Sequence, residues 1–175
     1  MAREILIEKP NQRVQLFWDA ESGDDATSIR LVADGASVDV RGFLTLKDSA
    51  KRELSIRVIH EAPNTESKVI LRALLDGASF AAISEMAIME PGVFGSKTHV
   101  EAKALLLSED ASANIQPELE ISENDVLATH AASVGPLEDE ELFYLMSRGI
   151  GRKEAERLLI QAFLAPVRDI VRRQV

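Results

Sequence analysis

The sequence predicts a mainly β protein that carries a helical segment at its C-terminal end. Three observations support this. Apolar residues alternate with polar ones in period two from Glu4 to about Gly135. Short clusters of Gly, Asp, Asn and Ser interrupt the alternation at regular intervals, as turns do between strands. After Gly135 the period changes to that of a helix. The predicted division is residues 1–135 for the β core and 136–175 for the helical segment.

The strands follow in order. EILIE, VQLFW and SIRLVA come first, then VDVRGFLTL, LSIRVIHE, KVILRALL and HVEAKALLLS, and DVLATHAASVG stands last. All are rich in the branched aliphatics that pack well on a pleated surface. Between them lie ESGDD, ADGAS, KDSAKRE, APNTES, DGAS and MEPGVFGS. No helical pattern separates the strands, so crossover βαβ units are not expected. Two architectures remain open at this point: an antiparallel sandwich or barrel, and a solenoid of stacked β coils. The turn echoes ADGAS (33–37), LDGAS (75–79) and SEDASA (108–113) are what repeated coils produce. Such small motifs also recur in any all-β protein.

The helical segment has two parts. In PLEDEELFYLMSRG, residues Leu142, Phe143, Leu145 and Met146 cluster on one predicted helical face. Glu138, Asp139, Glu140 and Glu141 sit where the helix dipole favours negative charge. Gly149 supplies a left-handed stop. A second helix starts near Arg152, with Ala155, Leu158, Leu159, Ala162 and Phe163 at the spacing of one buried face. Pro166 is expected to end or kink it, with VRDIVRRQV continuing as a basic tail.

Composition excludes several functions. A net charge of -9 and a pI near 4.9 do not suit nucleic acid or an anionic membrane surface, both of which are held by Lys and Arg. With no cysteine there is no disulfide, thiolate metal site or cysteine nucleophile. The N-terminal MAREILIEKPNQ is charged from its first residues and does not read as a signal peptide. A cytoplasmic protein is expected. No Walker-type phosphate loop or G-x-S-x-G elbow is present, and no carboxylate pair stands out, so no enzyme activity is expected.

Three segments, IHEAPNTESKVILRALLDGAS, ALLLSEDASANIQPELEI and DVLATHAASVGPLEDEELFYLMSRGI, resemble in that order the core of the SufB/SufD proteins of iron–sulfur cluster assembly. The resemblance runs from about Ile59 to Ala165. It implies a right-handed parallel β-helix, that is a β-solenoid, followed by an α-helical segment. It also implies a scaffold role. A like subunit, SufB-type or identical, would pair with the chain as a heterodimer or homodimer. A SufC-like ABC ATPase would dock on the C-terminal helices, for which Glu141, Tyr144, Arg148, Arg152 and Glu156 are the candidate contacts. The chain is shorter than a typical member, with the missing part N-terminal. Where SufB-type members carry a cysteine and a glutamate, this chain has Ala102 and Ala131, which places it closer to SufD.

In the SufD-like motif the resemblance gives His130 a place at the interface where a cluster forms. No cofactor bound by this chain alone is expected, only a transient iron–sulfur cluster shared with a partner. The plainer reading is a histidine packed locally near the last coil. His60 and His99 are expected at solvated strand positions, with His99 and Glu101 on one strand face. The three histidines are spread out and show no ligand spacing, so no metal site is expected. Two other functions remain for comparison: a stand-alone β-solenoid interaction module, and a metal-dependent enzyme that would need all three imidazoles to converge.

Overall fold

The computed structural model of the protein describes residues 3–19 and 26–171. It has ten strands: β1 (Arg3–Ile7), β2 (Arg13–Asp19), β3 (Ala26–Leu31), β4 (Ser37–Leu46), β5 (Lys51–His60), β6 (Glu66–Leu75), β7 (Phe80–Met89), β8 (Ser96–Leu106), β9 (Ser112–Ile121) and β10 (Val126–Pro136). Two helices follow, α1 (Asp139–Ser147) and α2 (Arg152–Val171). The predicted turn ESGDD at 21–25 and the last four residues of the basic tail lie outside the described residues.

Each strand pairs with the strand two places along the chain, and every pairing is parallel. The odd strands form one sheet, β1-β3-β5-β7-β9, and the even strands the other, β10-β8-β6-β4-β2. The chain thus visits each sheet once per coil and climbs one rung, which makes a parallel β-solenoid. The antiparallel alternative is excluded. Two strands absent from the predicted series are β7 and β9. β7 holds only two isoleucines among Ala, Ser, Glu and Met, and β9 contains Pro117, so neither carries the dense branched-aliphatic signal of its neighbours.

Stacking in register aligns like side chains into columns inside the solenoid. Ile29, Val58, Ala87 and Leu119 form one in the first sheet. Leu16, Val40, Val69 and Val100 form one in the second. The core is accordingly aliphatic, as a chain with 5% aromatic residues requires. Its burial is the main favourable term, at roughly 25 cal/mol per Å² of apolar surface removed from water.

The turns are ordered by a second ladder. Asn11, Gly35, Asn64 and Gly95 all have positive φ and lie in successive coils. They are joined by Asn11 N–H to Asp34 O (2.9 Å), Gly35 N–H to Pro63 O (3.1 Å) and Asn64 N–H to Phe94 O (2.9 Å). Asn tolerates this left-handed region and Gly enters it freely. The alternation is also steric. A Cβ at Gly35 would lie 2.5 Å from Asn11 Oδ1, and one at Gly95 would lie 2.6 Å from Asn64 Oδ1.

α2 lies on the outer face of the second sheet. Arg72 is buried beneath it, donating from Nε to Phe163 O (3.2 Å) and from Nη1 to Leu71 O (2.9 Å). Its guanidinium also stands 5.5 Å from the centre of the Phe163 ring and pairs with Glu101. Arg41, held by Asp39 (2.6 and 2.9 Å), donates to Pro166 O (3.5 Å). Of the two expectations for Pro166, that it ends the helix is corrected, since α2 runs on through it to Val171. Proline removes one intrahelical donor, but Arg41 and Arg72 hold carbonyls in that turn and Val167 is buried. α1 stops as predicted at Gly149 (φ +86°), where Ile150 N–H bonds back to Leu145 O (3.3 Å).

Gly95→Ala tests the turn ladder. It is expected to lower unfolding free energy by about 1–3 kcal/mol in urea titration. Adding Asn64→Gly, which removes the clashing side chain, is expected to restore part of that loss.

Candidate functional site

The candidate residue His130 lies in the last coil, whose strands β9 and β10 each end a sheet. Their inward residues include Ile115, Pro117 and Leu119 on one side and Ala128, His130 and Ala132 on the other. Among the described residues no further strand covers them. Ile121 and Val134 of this coil stay exposed.

His130 pairs with Val100 in register and so tops the column Leu16, Val40, Val69, Val100. Four aliphatic side chains fill that column below it. The fifth position, on the uncovered rung, is an exposed imidazole. Ala102 is buried one inward position along from Val100, under Ala132. Ala131 faces outward beside Glu101.

The two edges of this coil differ. Ser112 N–H and Ser122 N–H donate to Ser79 O and Met89 O at either end of β9. Even-numbered amides of β9 therefore point to β7 and odd-numbered ones to the open edge. Pro117 takes an odd position and offers no donor there. β10 has no proline from Val126 to Gly135.

The other histidines do not join His130. His60 was expected at a solvated strand position, and the structure corrects this: it is fully buried, 0% exposed. Its Nδ1 lies 2.8 Å from Thr65 Oγ1 and its Nε2 2.9 Å from Ser67 Oγ, which meets Thr98 Oγ1 at 2.7 Å. Thr65 Oγ1 also lies 3.0 Å from Ala62 O and 2.8 Å from Ser96 Oγ, so both ring nitrogens of His60 are held by buried hydroxyls in one network. Burial holds this imidazole down to about 4. The sequence signal was present: His60 shares its parity with Leu54, Ile56 and Val58. His99 sits on the outer face, 2.9 Å from Thr129 Oγ1. It shares that face with Glu101, as expected. Burial pushes Glu101 up, but Arg72, Lys103 and His99 outweigh it and hold the carboxyl below its usual range. The three imidazoles stand on three strands, His60 inward from β5, His99 outward from β8 and His130 on the open rung of β10, which removes the reading that needed them together. Among the described residues no group of three His, Asp or Glu is placed to hold a metal ion.

One buried acid was not foreseen. Glu85 faces inward from β7 between Ile56 and Pro117, is 1% exposed, and has no hydrogen-bond partner on either oxygen. Burial pushes its carboxyl up to about 8, with Glu101 adding and Arg72 opposing.

The expected helical contacts fall in two grooves. Glu141 and Tyr144 line one with Leu145 and Leu159. Arg152 and Glu156, paired at 2.9 Å, line another with Leu106, Leu142 and Ile160. Arg148 stands 5.3 Å from the Tyr144 ring centre. α1 packs on α2 through Leu142 and Ala155, both buried. Phe143 and Met146, predicted to share the apolar face with Leu142, instead point to solvent at 75% and 43% exposure. No helix among the described residues is long and apolar enough to cross a membrane.

Two parallel sheets stacked coil on coil, with an open final coil and helices docked on one sheet, define a β-solenoid protein. Residues 15–163 match the domain described as SUF system FeS cluster assembly, SufBD core domain, and the chain belongs to that family. It is 34% identical over 152 residues to the iron–sulfur cluster assembly protein SufD of Bacillus subtilis, covering 87% of this chain and 35% of that protein. It is 26% identical over 140 residues to an iron–sulfur cluster assembly SufBD family protein of Mycobacterium tuberculosis, covering 80% of this chain and 16% of that one. The chain therefore spans about a third or less of the length of these relatives.

The two buried ionisable groups oppose each other in pH. Native Glu85 keeps a proton that the unfolded chain releases above about 4.5, so stability falls as pH rises towards 8. Native His60 stays neutral where the unfolded chain takes up a proton, so stability falls as pH drops from 6.5 towards 4. The slopes cancel in the overlap and only that of Glu85 remains above pH 6.5. Melting temperatures are expected to decline from pH 6.5 to 8, by up to roughly 1.4 kcal/mol per pH unit in stability. Glu85→Gln is expected to remove that decline.

Proposed function

We propose that the chain is a non-enzymatic scaffold subunit of SUF-type iron–sulfur cluster assembly, working in the manner of SufD. The observation that carries this reading is the final coil. There an edge strand with an inward imidazole at its middle leads directly into helices docked on the same sheet, in a chain of the SufB/SufD core family. Unpaired strand edges tend to find partners. The rim of β10 pairs with a like subunit, SufB-type or a second copy, and Pro117 makes β9 the poorer edge.

His130 then offers one ligand to a cluster that is the cargo of the complex. An imidazole binds iron through one nitrogen while the other is held by a neighbour. One histidine cannot hold a cluster, so the remaining ligands come from across the pair. The helical segment receives a SufC-type ABC ATPase, whose nucleotide cycle moves the paired subunits. The absence of cysteine favours a second reading, a solenoid interaction module that takes no part in cluster assembly.

Anaerobic co-expression with SufB- and SufC-type proteins separates the two. His130→Ala is expected to reduce the iron and sulfide content of the purified complex by roughly tenfold or more. Melting temperature and complex formation should be unchanged, because the side chain is exposed. Unchanged cluster content in that variant would favour the interaction module.

A further inference from the structure

Two near-identical turns, ADGAS (33–37) and LDGAS (75–79), hold the two Asp-Gly steps of the sequence. At such a step an aspartyl side chain closes readily on the following amide, because glycine has no side chain to block the approach. The two glycines share one conformation, with φ +67° at Gly35 and +66° at Gly77. Both aspartates are exposed. What differs is their partners.

Asp34 and Gly35 are restrained by the neighbouring coils. Asp34 O accepts from Asn11 N–H (2.9 Å), Asp34 Oδ1 accepts from Asn64 Nδ2 (2.9 Å), and Gly35 N–H donates to Pro63 O (3.1 Å). The nitrogen and the carboxylate are therefore turned to separate partners. At the other turn, Gly77 N–H donates to Asp76 Oδ1 itself (2.9 Å). Among the described residues that carboxylate accepts from nothing else. The surrounding backbone is firmly placed. Asp76 N–H donates to Leu46 O (3.0 Å), Ala78 N–H donates to Asp48 O (2.6 Å), and Gly77 O accepts from Ser108 Oγ (2.6 Å). The two groups of Asp76 and Gly77 that can react are thus kept against each other and are engaged by no third.

We propose that Asp76–Gly77 is a site of isoaspartate formation in the folded protein, and that Asp34–Gly35 is protected from it. The Gly77 nitrogen attacks Cγ of Asp76. The amide proton and the carboxyl hydroxyl leave together as water, and a cyclic imide results. Water then cleaves the bond between that nitrogen and the original main-chain carbonyl carbon of Asp76. The chain now runs through Cβ and Cγ, and the old carbonyl becomes a free carboxylate. One water leaves and one enters, so the mass is unchanged. Holding the two reacting groups in contact favours the ring closure. The product carries an extra main-chain carbon in a turn with no room for it, since even a Cβ on Gly77 would lie 2.8 Å from Asp48 O. Asp76 also lines the groove in which Leu142 and Arg152 of the helical segment face the coil turns. The altered turn therefore lies against the seat of the helices. None of this depends on the scaffold reading.

The test is ageing of the purified whole chain at mildly acidic pH and body temperature. Peptide mapping locates the isomer, and an isoaspartyl methyltransferase with labelled S-adenosylmethionine measures it. Isoaspartate is expected at position 76 in roughly tenfold or greater excess over position 34, because hydrogen bonds restrain both reacting groups at the latter. Ageing in concentrated urea is expected to level the two sites, since their flanking residues are nearly the same. Asn64→Gly keeps a residue suited to the left-handed turn and removes the amide that holds Asp34, so in the folded variant isoaspartate at 34 is expected to rise. Equal conversion of both sites in the folded chain, or a preference for 34, overturns the proposal. So does an intact position 76 in the folded chain when the urea sample converts. A folded Asn64→Gly variant in which 34 stays as slow as before overturns the protection assigned to that amide.

Discussion

Parallel, in-register stacking is the constraint on which the rest depends. A coil can add to the solenoid only if its strands meet the previous pair at the same height with the same faces turned inward. Partners stand 29 residues apart between Ala26 and Ser55 and 31 apart between Ser67 and Thr98, so the turns absorb the difference and the strands keep parity. A slip of one residue would turn Val69 and Val100 out and Ile70 and Glu101 in. That parity also decides chemistry. It puts His130 at the head of an aliphatic column, Glu101 outside where Arg72 can reach it, and Glu85 inside where nothing does.

The helices are tied to the stack by two arginines on the outer sheet face. Arg72 is buried, and a buried cation needs a full set of partners. It has them in a carboxylate, two carbonyls and an aromatic face. This fixes α2 across the sheet that ends in β10, so the open rim and the helical segment lie on one rigid support. α1 is attached at second hand, through α2, which is why so little of it is buried.

Much of this was legible in the sequence, for physical reasons that differ between elements. β4, β5 and β6 announce themselves because Val, Ile and Leu recur at every second position. β7 does not, since its inward set is Ala, Ile, Glu, Ala and Met. β9 is masked by Pro117, which only an edge strand tolerates at that position. Direction of pairing was beyond pattern alone, because alternation is the same in parallel and antiparallel sheets, and family resemblance supplied it. His60 could have been found by parity. Phe143 could not: its spacing fits a buried face, and only the packing of α1 through Leu142 turns it outward. Glu85 had no signal beyond parity, and polarity argued against the position it takes.

The alternation of Asn and Gly along the turn ladder sets how such a solenoid can change length. The steric fit belongs to a two-rung unit, in which an asparagine amide fills the space a glycine leaves empty. Copying or excising one rung by recombination would set amide against amide, or glycine against glycine with a void between. Copying two preserves every neighbour. Growth in doublets is therefore the low-strain path for lengthening this rod, whether by ancestral duplication or by protein engineering.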